Sequence, residues 1–425
     1  MTTTPIPARP WAYYGWFVLA ASALTELLIT GASSYAAGLF VLPLQAEFGL
    51  SRTAASSWIL FLILGGIFAA PFAGRILDRY PIRLVTLVGI VCFSGAMAVI
   101  AVAPALWMMM LALLIPAAMG YVVLGSLATA TLASRWFFKR RGLALGLAAI
   151  ATSGGGFMAP FLARAIEAHG WRQALLGEAA MLFLVIATSA LFVLKDNPFR
   201  AGLGDHPENL GRADGALLRE PGRMGGTVAP RFGRWREILG NPGFWAPSLA
   251  IAATSGIAQA IVGLIPPYGH QLGFATASSA LLITIFAIAA AATKILVGVM
   301  ADYWDSRLLL FSSLLVLPVA LAIFYFLTSY PALALASALA GVALGGVLPT
   351  VPALITARFG ASRVGAVMGW SYALIGIALI AAVLSTGIVF DLTGSYRPGF
   401  AGLLVFALVL AAIAVAVDRR VPAQP

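Results

Sequence analysis

The stretch GRILDRYPIR, from Gly74 to Arg83, returns further along the chain as GVMADYWDSR, from Gly298 to Arg307. Gly74, Asp78 and Arg83 stand 224 positions before Gly298, Asp302 and Arg307. A second segment repeats at almost the same interval: Arg135, Gly142 and Gly146 recur 223 positions on as Arg358, Gly365 and Gly369. In a chain of 425 residues that interval makes two copies of one unit, so the fold has to be built from two similar halves.

Hydrophobic residues fill 61% of the positions and charged ones 10%, so most of the surface of either half has to be hidden in lipid. Runs long enough to cross a hydrocarbon layer of about 30 Å are predicted at 14–43, 53–73, 83–103, 106–131, 142–166 and 172–194. Six more are predicted at 243–268, 277–300, 308–328, 332–356, 364–389 and 398–417. The first run is longer than a signal-peptide core and is followed directly by another span, so it is read as a retained helix. The expected fold is an all-α membrane protein with twelve transmembrane helices in two six-helix pseudo-symmetric bundles. Residues 1–194 are assigned to the first bundle, 195–242 to a linker and 243–425 to the second. In so apolar a chain, duplicated halves are the usual mark of a transporter whose substrate site lies between the repeats.

The formal charge of +11 suits a nucleic-acid binder, but its distribution argues against one. Of 26 Lys and Arg, four (Arg52, Arg164, Arg172 and Arg397) fall in loops on one side and Lys294 falls within a span, which leaves 21 on the other side. That asymmetry places both termini in the cytoplasm of a multi-pass cell-membrane protein, the inner membrane if the source is a bacterium. Cys92 is alone in the sequence, so no intramolecular disulfide forms, and its apolar setting makes it a buried structural thiol. The linker is rich in Gly, Arg, Pro and acidic residues, and a short amphipathic helix is predicted around Arg234 to Leu239 on the membrane surface. No Gly-rich phosphate loop, metal-spaced His/Cys cluster or nucleophile elbow occurs in the soluble segments. No enzymatic activity, cofactor or metal is expected.

The cassettes resemble the G-x-x-x-D-R-x-x-R loop of the major facilitator superfamily, which often carries a decayed second copy; here Tyr303 replaces the second copy's first arginine. Within that superfamily the chain is similar to the monocarboxylate porters and the oxalate/formate antiporter group. The stretches that carry this similarity are YYGWFV (Tyr13 to Val18), SSYAAGLFVLPLQAEFGLSR (Ser33 to Arg52), RWFFKRRGLALGLA (Arg135 to Ala148), HGWR (His169 to Arg172) and FDLTGSY (Phe390 to Tyr396). The resemblance implies alternating access. Gly74, Asp78, Arg79 and Arg83, with Gly298, Asp302 and Arg307, then latch the halves together on the cytoplasmic side. Asp78 is placed at the start of the third helix, where a helix N-terminus stabilises a carboxylate by about 0.3–1 kcal/mol. Arg79 and Arg83 are its expected partners.

Glycines strip the side chains from one face of the fifth span (Gly142, Gly146, Gly154, Gly155 and Gly156) and of the tenth (Gly341, Gly345 and Gly346), so other helices are expected to pack closely there. Ionisable residues inside spans cost about 2.5–3.5 kcal/mol each at the helix centre and call for a function. Lys294 stands four positions before Gly298, where the carboxylate carriers hold a basic residue, so the resemblance assigns it to the substrate carboxylate. Glu26, in the first span, is the candidate for proton coupling, either paired with Lys294 in the empty carrier or hydrogen-bonded structurally. The eukaryotic porters have a lysine shortly after a Ser-Tyr pair and an aspartate one turn before the basic residue; this chain has no lysine after Ser34 and Tyr35, and has Ala290 in the aspartate's place. Tyr121 is a candidate donor to the substrate carboxylate, and Gln259, Trp58 and Tyr372 are further candidate substrate-binding residues. Glu178 is expected to pair with Arg172 and Arg164. The expected function is transport of a small organic anion, monocarboxylate-like, by a monomer in a lipid bilayer, with protons as the candidate coupling ion. Efflux of amphipathic molecules and a non-transporting metabolite sensor are the alternatives.

Overall fold

The computed structural model describes residues 13–35, 37–49, 58–154, 158–199, 201–203, 206, 235–274 and 276–418. Regular structure among them is helical throughout. Lipid requires this, because a helix satisfies its backbone polar groups within one segment. The first half contains α1 (Gly15–Thr30), α2 (Trp58–Arg79), α3 (Ile82–Val102), α4 (Leu106–Trp136), α5 (Arg141–Gly154, continued by Ala159–His169) and α6 (Trp171–Phe192). The second contains α7 (Pro242–Gln271), α8 (Thr276–Met300), α9 (Ser306–Phe326), α10 (Tyr330–Phe359), α11 (Val364–Thr393) and α12 (Arg397–Asp418). Among the described residues, 11 of these segments are long and apolar enough to span a membrane as single helices. The twelfth, α5, is described in two shorter pieces. The linker contributes a short helix at Trp235–Leu239; Arg234 lies outside the described residues.

Two boundaries differ from the apolar runs. The run ending at residue 73 continues as helix to Arg79, so the first cassette lies on the last turns of α2. Hydropathy falls at Arg75, but no helix breaker intervenes before Pro81, which sits at the N-cap of α3. Asp78 therefore does not begin the third helix. Asp196 caps it instead, its Oδ1 accepting the Ile82 N–H at 2.6 Å. The second difference is in α4, where a π-helical turn at Leu113–Ala117 contains Pro116 and Gly125 is extended (φ −83, ψ −152). A missing N–H and an extended glycine both interrupt the helical ladder, which re-aims the segment from Ser126 onward.

Apolar side chains are buried within each half, and a third cluster joins the halves, bringing Leu77, Trp136 and Ala144 of the first together with Leu354, Val364 and Met368 of the second. Helix contact across that junction depends on missing side chains. A Cβ on Gly74 would lie 2.0 Å from the Gly365 carbonyl oxygen, and one on Gly142 would lie 2.2 Å from that of Gly298. The α2–α11 and α5–α8 crossings are thus backbone against backbone. The glycines of α10 do the same within the second half, where Gly341 and Gly345 lie against α8 carbonyls.

At the opposite end of the first half, Glu47 accepts from Trp171 Nε1 at 2.8 Å and from Arg172 Nη2 at 2.5 Å. Arg172 also donates to the carbonyls of Ala101 at 2.6 Å and Ala103 at 2.9 Å, and its guanidinium lies over the Trp171 ring. These bonds tie the segment after α1 to the end of α3 and the start of α6. The hydrogen bonds from Arg172 hold the Glu47 carboxyl below the usual carboxylate range.

Candidate functional site

Each cassette carboxylate caps a helix in the other half. Asp78, near the end of α2, accepts the backbone N–H of Gly365 at 3.1 Å and of Ala366 at 2.7 Å, at the start of α11. Asp302, just past α8, accepts the N–H of Gly142 at 2.5 Å and of Leu143 at 3.0 Å, at the start of α5. The pairs 142/143 and 365/366 are 223 positions apart, so the duplication extends to the atoms that bind. The first N–H groups of a helix lack intrahelical acceptors and carry the positive end of its dipole, which makes them a natural seat for a carboxylate. Ser134 of α4 and Thr356 of α10 add a hydroxyl bond between the halves at 3.1 Å. This face of the molecule, called the cassette face below, is closed.

The guanidinium on Asp78 is that of Arg135, whose Nη2 lies 3.0 Å from Oδ1 and also donates to the Leu77 carbonyl at 2.8 Å. Arg79 and Arg83, the partners expected from the sequence, are exposed. In the second half Arg358, the repeat of Arg135, bonds to Asp418 and donates to the Gly243 carbonyl at 2.9 Å. Arg307 also faces Asp418, at 3.9 Å. The arginines of the second half therefore anchor the end of α12.

Deeper in, five helices bring polar groups together between the halves. Glu26 on α1 is 1% exposed, and the Ser126 hydroxyl of α4 donates to its Oε1. Thr129, one turn along, lies beside Glu26, and its hydroxyl donates to the Ser22 and Gly125 carbonyls at 3.3 and 3.4 Å. Lys294 on α8 is 2% exposed, and its Nζ donates to the Ala149 carbonyl and to Thr152 Oγ1 of α5, each at 3.0 Å. Glu26 and Lys294 are within electrostatic reach of each other, and each is held by hydrogen bonds of its own. Tyr372 on α11 is next to Ser126 and within reach of Glu26 and Tyr121. Of the residues singled out from the sequence, Glu26, Lys294, Tyr121 and Tyr372 are thus assembled. Gln259 is exposed on α7, and the side chain of Trp58 lies outside the described residues.

Sequence reasoning missed Ser126, Thr129, Thr152 and the role of Arg135. The recurrence of Arg135 as Arg358 was a usable signal; the hydroxyls offered none, because Ser and Thr are common in spans. Glu178 is placed differently from expectation. Glu47 and two carbonyls take Arg172, and among the described residues neither Glu178 oxygen has a hydrogen-bond partner. Among the described residues no group of three or more His, Cys, Asp and Glu could hold a metal ion.

The sequence model of the Major Facilitator Superfamily matches residues 23–281 and 264–425. The chain belongs to this superfamily. Monocarboxylate transporter 9 of Rattus norvegicus is 28% identical over 202 residues, 46% of this chain and 39% of that protein. The uncharacterized MFS-type transporter YcxA of Bacillus subtilis (strain 168) is 27% identical over 187 residues, 43% of this chain and 45% of that protein. The chain thus matches less than half the length of either relative. Among solved structures, the proton:xylose symporter XylE superposes with a TM-score of 0.74 at 15% identity, covering 96% of both chains. The human organic anion transporter MFSD10 (TETRAN) superposes with a TM-score of 0.68 at 18% identity, covering 94% of this chain and 99% of its own. At these identities the structures show the fold.

Members of this superfamily are membrane transporters and not enzymes, and the chain has their multi-pass helical architecture. Its two halves meet through main-chain contacts at the cassette face, and its buried charges lie deeper, on helices contributed by both halves. A ligand bound by Lys294 would compete with Ala149 and Thr152. Those two α5 residues lie one turn and two turns beyond Gly146, whose Cβ would meet the Lys294 carbonyl oxygen at 2.4 Å. A ligand on Lys294 and opening of the α5–α8 contact would therefore act on the same few residues.

Proposed function

We propose that this facilitator carries a small organic monoanion, of the monocarboxylate kind, across a cell membrane by alternating access. The observation that carries this reading is Lys294, a buried ammonium on one half held by a carbonyl and a hydroxyl of the other. A charge costs several kcal/mol to bury without compensation, and neutral acceptors compensate it less well than a carboxylate. An entering carboxylate supplies the stronger partner and releases α5 from α8. Tyr121 and Tyr372 offer hydroxyls to the rest of the anion. The lysine recognises a point of negative charge, not the planar fork an arginine would select.

Glu26 is the coupling residue in this reading. A carboxylate close to Lys294 repels an incoming anion, and one proton taken up at Glu26 removes that repulsion. Anion and proton then cross together without net charge. Moved alone, a monoanion would feel about 2.3 kcal/mol per 100 mV of membrane potential. The cassette face is the cytoplasmic face here, and the conformation described is the one loaded from outside.

The test is uptake of radiolabelled lactate, pyruvate, formate and oxalate into proteoliposomes, with and without an inward proton gradient. Gradient-driven accumulation that disappears in Lys294→Ala is expected. Failure to transport any of these acids, or uptake indifferent to Lys294, overturns the reading and leaves efflux of amphipathic molecules as the next to examine.

A further inference from the structure

Just past the break in α4, oxygens from two helices gather. Ser126 and Thr129 stand three positions apart on α4 and share one face of it, and the Ser22 carbonyl lies one turn before Glu26 on α1. These two faces meet. The Ser126 hydroxyl donates to Glu26 Oε1, and Thr129 Oγ1 lies 3.3 Å from the Ser22 carbonyl oxygen. The Gly125 carbonyl, at the break itself, is 3.4 Å from Thr129 Oγ1. Ser22, Glu26 and Thr129 are buried, while Ser126 and its neighbour Tyr372 are half-buried at the edge.

We propose that this cluster is a binding site for a sodium ion, held by the Glu26 carboxylate, the Ser126 and Thr129 hydroxyls and the Ser22 carbonyl. Hard cations take neutral and acidic oxygen ligands of these kinds. Calcium, which has nearly the radius of sodium, is held at about 2.3–2.6 Å, and oxygens at right angles around an ion at about 2.4 Å stand about 3.4 Å apart. Thr129 has that spacing to both carbonyls, longer than the about 2.5–3.0 Å usual for a hydroxyl hydrogen bond. A proton on Glu26 needs one acceptor and gives no reason for two carbonyls and a second hydroxyl to gather beside it. With one carboxylate among neutral oxygens the site matches a single positive charge, and it lies outside the acidic and His/Cys groupings that hold multivalent metals. A hydroxyl carries two lone pairs, so Ser126 turns its proton aside and becomes a ligand as the ion enters.

Lys294 is within electrostatic reach of Glu26 and opposes a cation there. An anion on Lys294 removes that opposition, so anion and sodium favour each other's binding. This coupling rests on the reading of Lys294 as the anion's partner; the ion site itself does not. Sodium and the proton are alternative occupants of one carboxylate, and either removes the charge that repels the anion.

The test is equilibrium binding of radioactive sodium to the purified full-length protein with no acid present. Choline, of the same charge and too large for the cluster, serves as competitor. Saturable binding at one site per chain is expected, weakened at least tenfold by Glu26→Gln. Thr129→Val is expected to weaken it equally, because it keeps the volume and the carboxylate and removes one ligand. Lys294→Ala, which takes away the opposing charge, is expected to tighten it. Absence of saturable binding, or binding indifferent to Thr129→Val, overturns the proposal. Displacement by choline as effective as by unlabelled sodium, or weaker binding in Lys294→Ala, would place the ion away from Glu26 and overturn it as well. Sodium binding without uptake of any acid would leave this site standing and remove the anion reading, and acid uptake without sodium binding would do the reverse.

Discussion

Replacing Asp78 by Asn tests whether the cassette carboxylate holds the cassette face closed. Its bond to Arg135 joins α2 to α4 within the first half and survives opening, so it drops out of the difference between the two states. What is lost on opening is the pair of bonds from Gly365 and Ala366 on α11. A hydrogen bond to a charged group contributes about 1.5–3 kcal/mol and a neutral one about 0.5–1.5. Asparagine keeps one carbonyl acceptor for α11 and turns a donor toward the other N–H. The closed state should therefore lose about 2–3 kcal/mol, which at 1.4 kcal/mol per tenfold raises the open population roughly 30- to 150-fold. Ser134, fully buried against Thr356 across the junction, is a suitable reporter. With Cys92 replaced by Ser, Ser134→Cys presents a single thiol to a charged, membrane-impermeant reagent. Its modification rate follows the open fraction, and should rise by that factor in Asp78→Asn until opening saturates. An unchanged rate refutes the latch, because the thiol would then be reached by a route independent of Asp78.

Four further outcomes are expected. Asp302→Asn should raise the same rate by a similar factor, and the two changes should add in free energy, since both act on one opening equilibrium. Gly74→Ala, which drives a methyl to 2.0 Å from the Gly365 oxygen, should leave the thiol permanently reactive and abolish transport while the protein still elutes as a monodisperse peak. Thr152→Ala removes a neutral acceptor that competes for Lys294, worth about 1 kcal/mol, and should lower the KM of the transported anion about fivefold; a raised KM would mean that Thr152 holds the substrate instead. Because Glu47 is held below the ordinary carboxylate range, its contribution to stability is complete above that range and lost as pH falls through the lowered native value. The Tm advantage of wild type over Glu47→Gln should accordingly be present at neutral pH and vanish in acid.

Much of this molecule was legible in its residues alone, because lipid leaves few choices. Apolar runs had to be helices, and the repeat of Gly74, Asp78 and Arg83 fixed their grouping into halves. The glycines of α5 and α10 were readable for the same reason, since close crossing needs missing side chains. Register and partner choice were harder. Asp78 was misplaced because hydropathy drops at the first charged residues while the helix runs on to Arg79. Glu178 was paired with Arg172 on nearness in sequence, yet six residues on a helix turn through about 600°, which leaves the two side chains on different faces. Ser126 and Thr152 gain their importance from the helix opposite, and a sequence carries no local trace of that.

Both cassette carboxylates grip main chain. Asp78 and Asp302 each read a pair of amides at the helix they cap, which residues other than proline supply alike. At the two caps the terms between the copies are few, an acid on one side and a glycine for clearance on the other, while the apolar cluster and the Ser134–Thr356 bond carry the rest of the fit. The halves can therefore share a closure and still differ beside it: Arg358 lies on Asp418, whereas its counterpart Arg135 lies on Asp78.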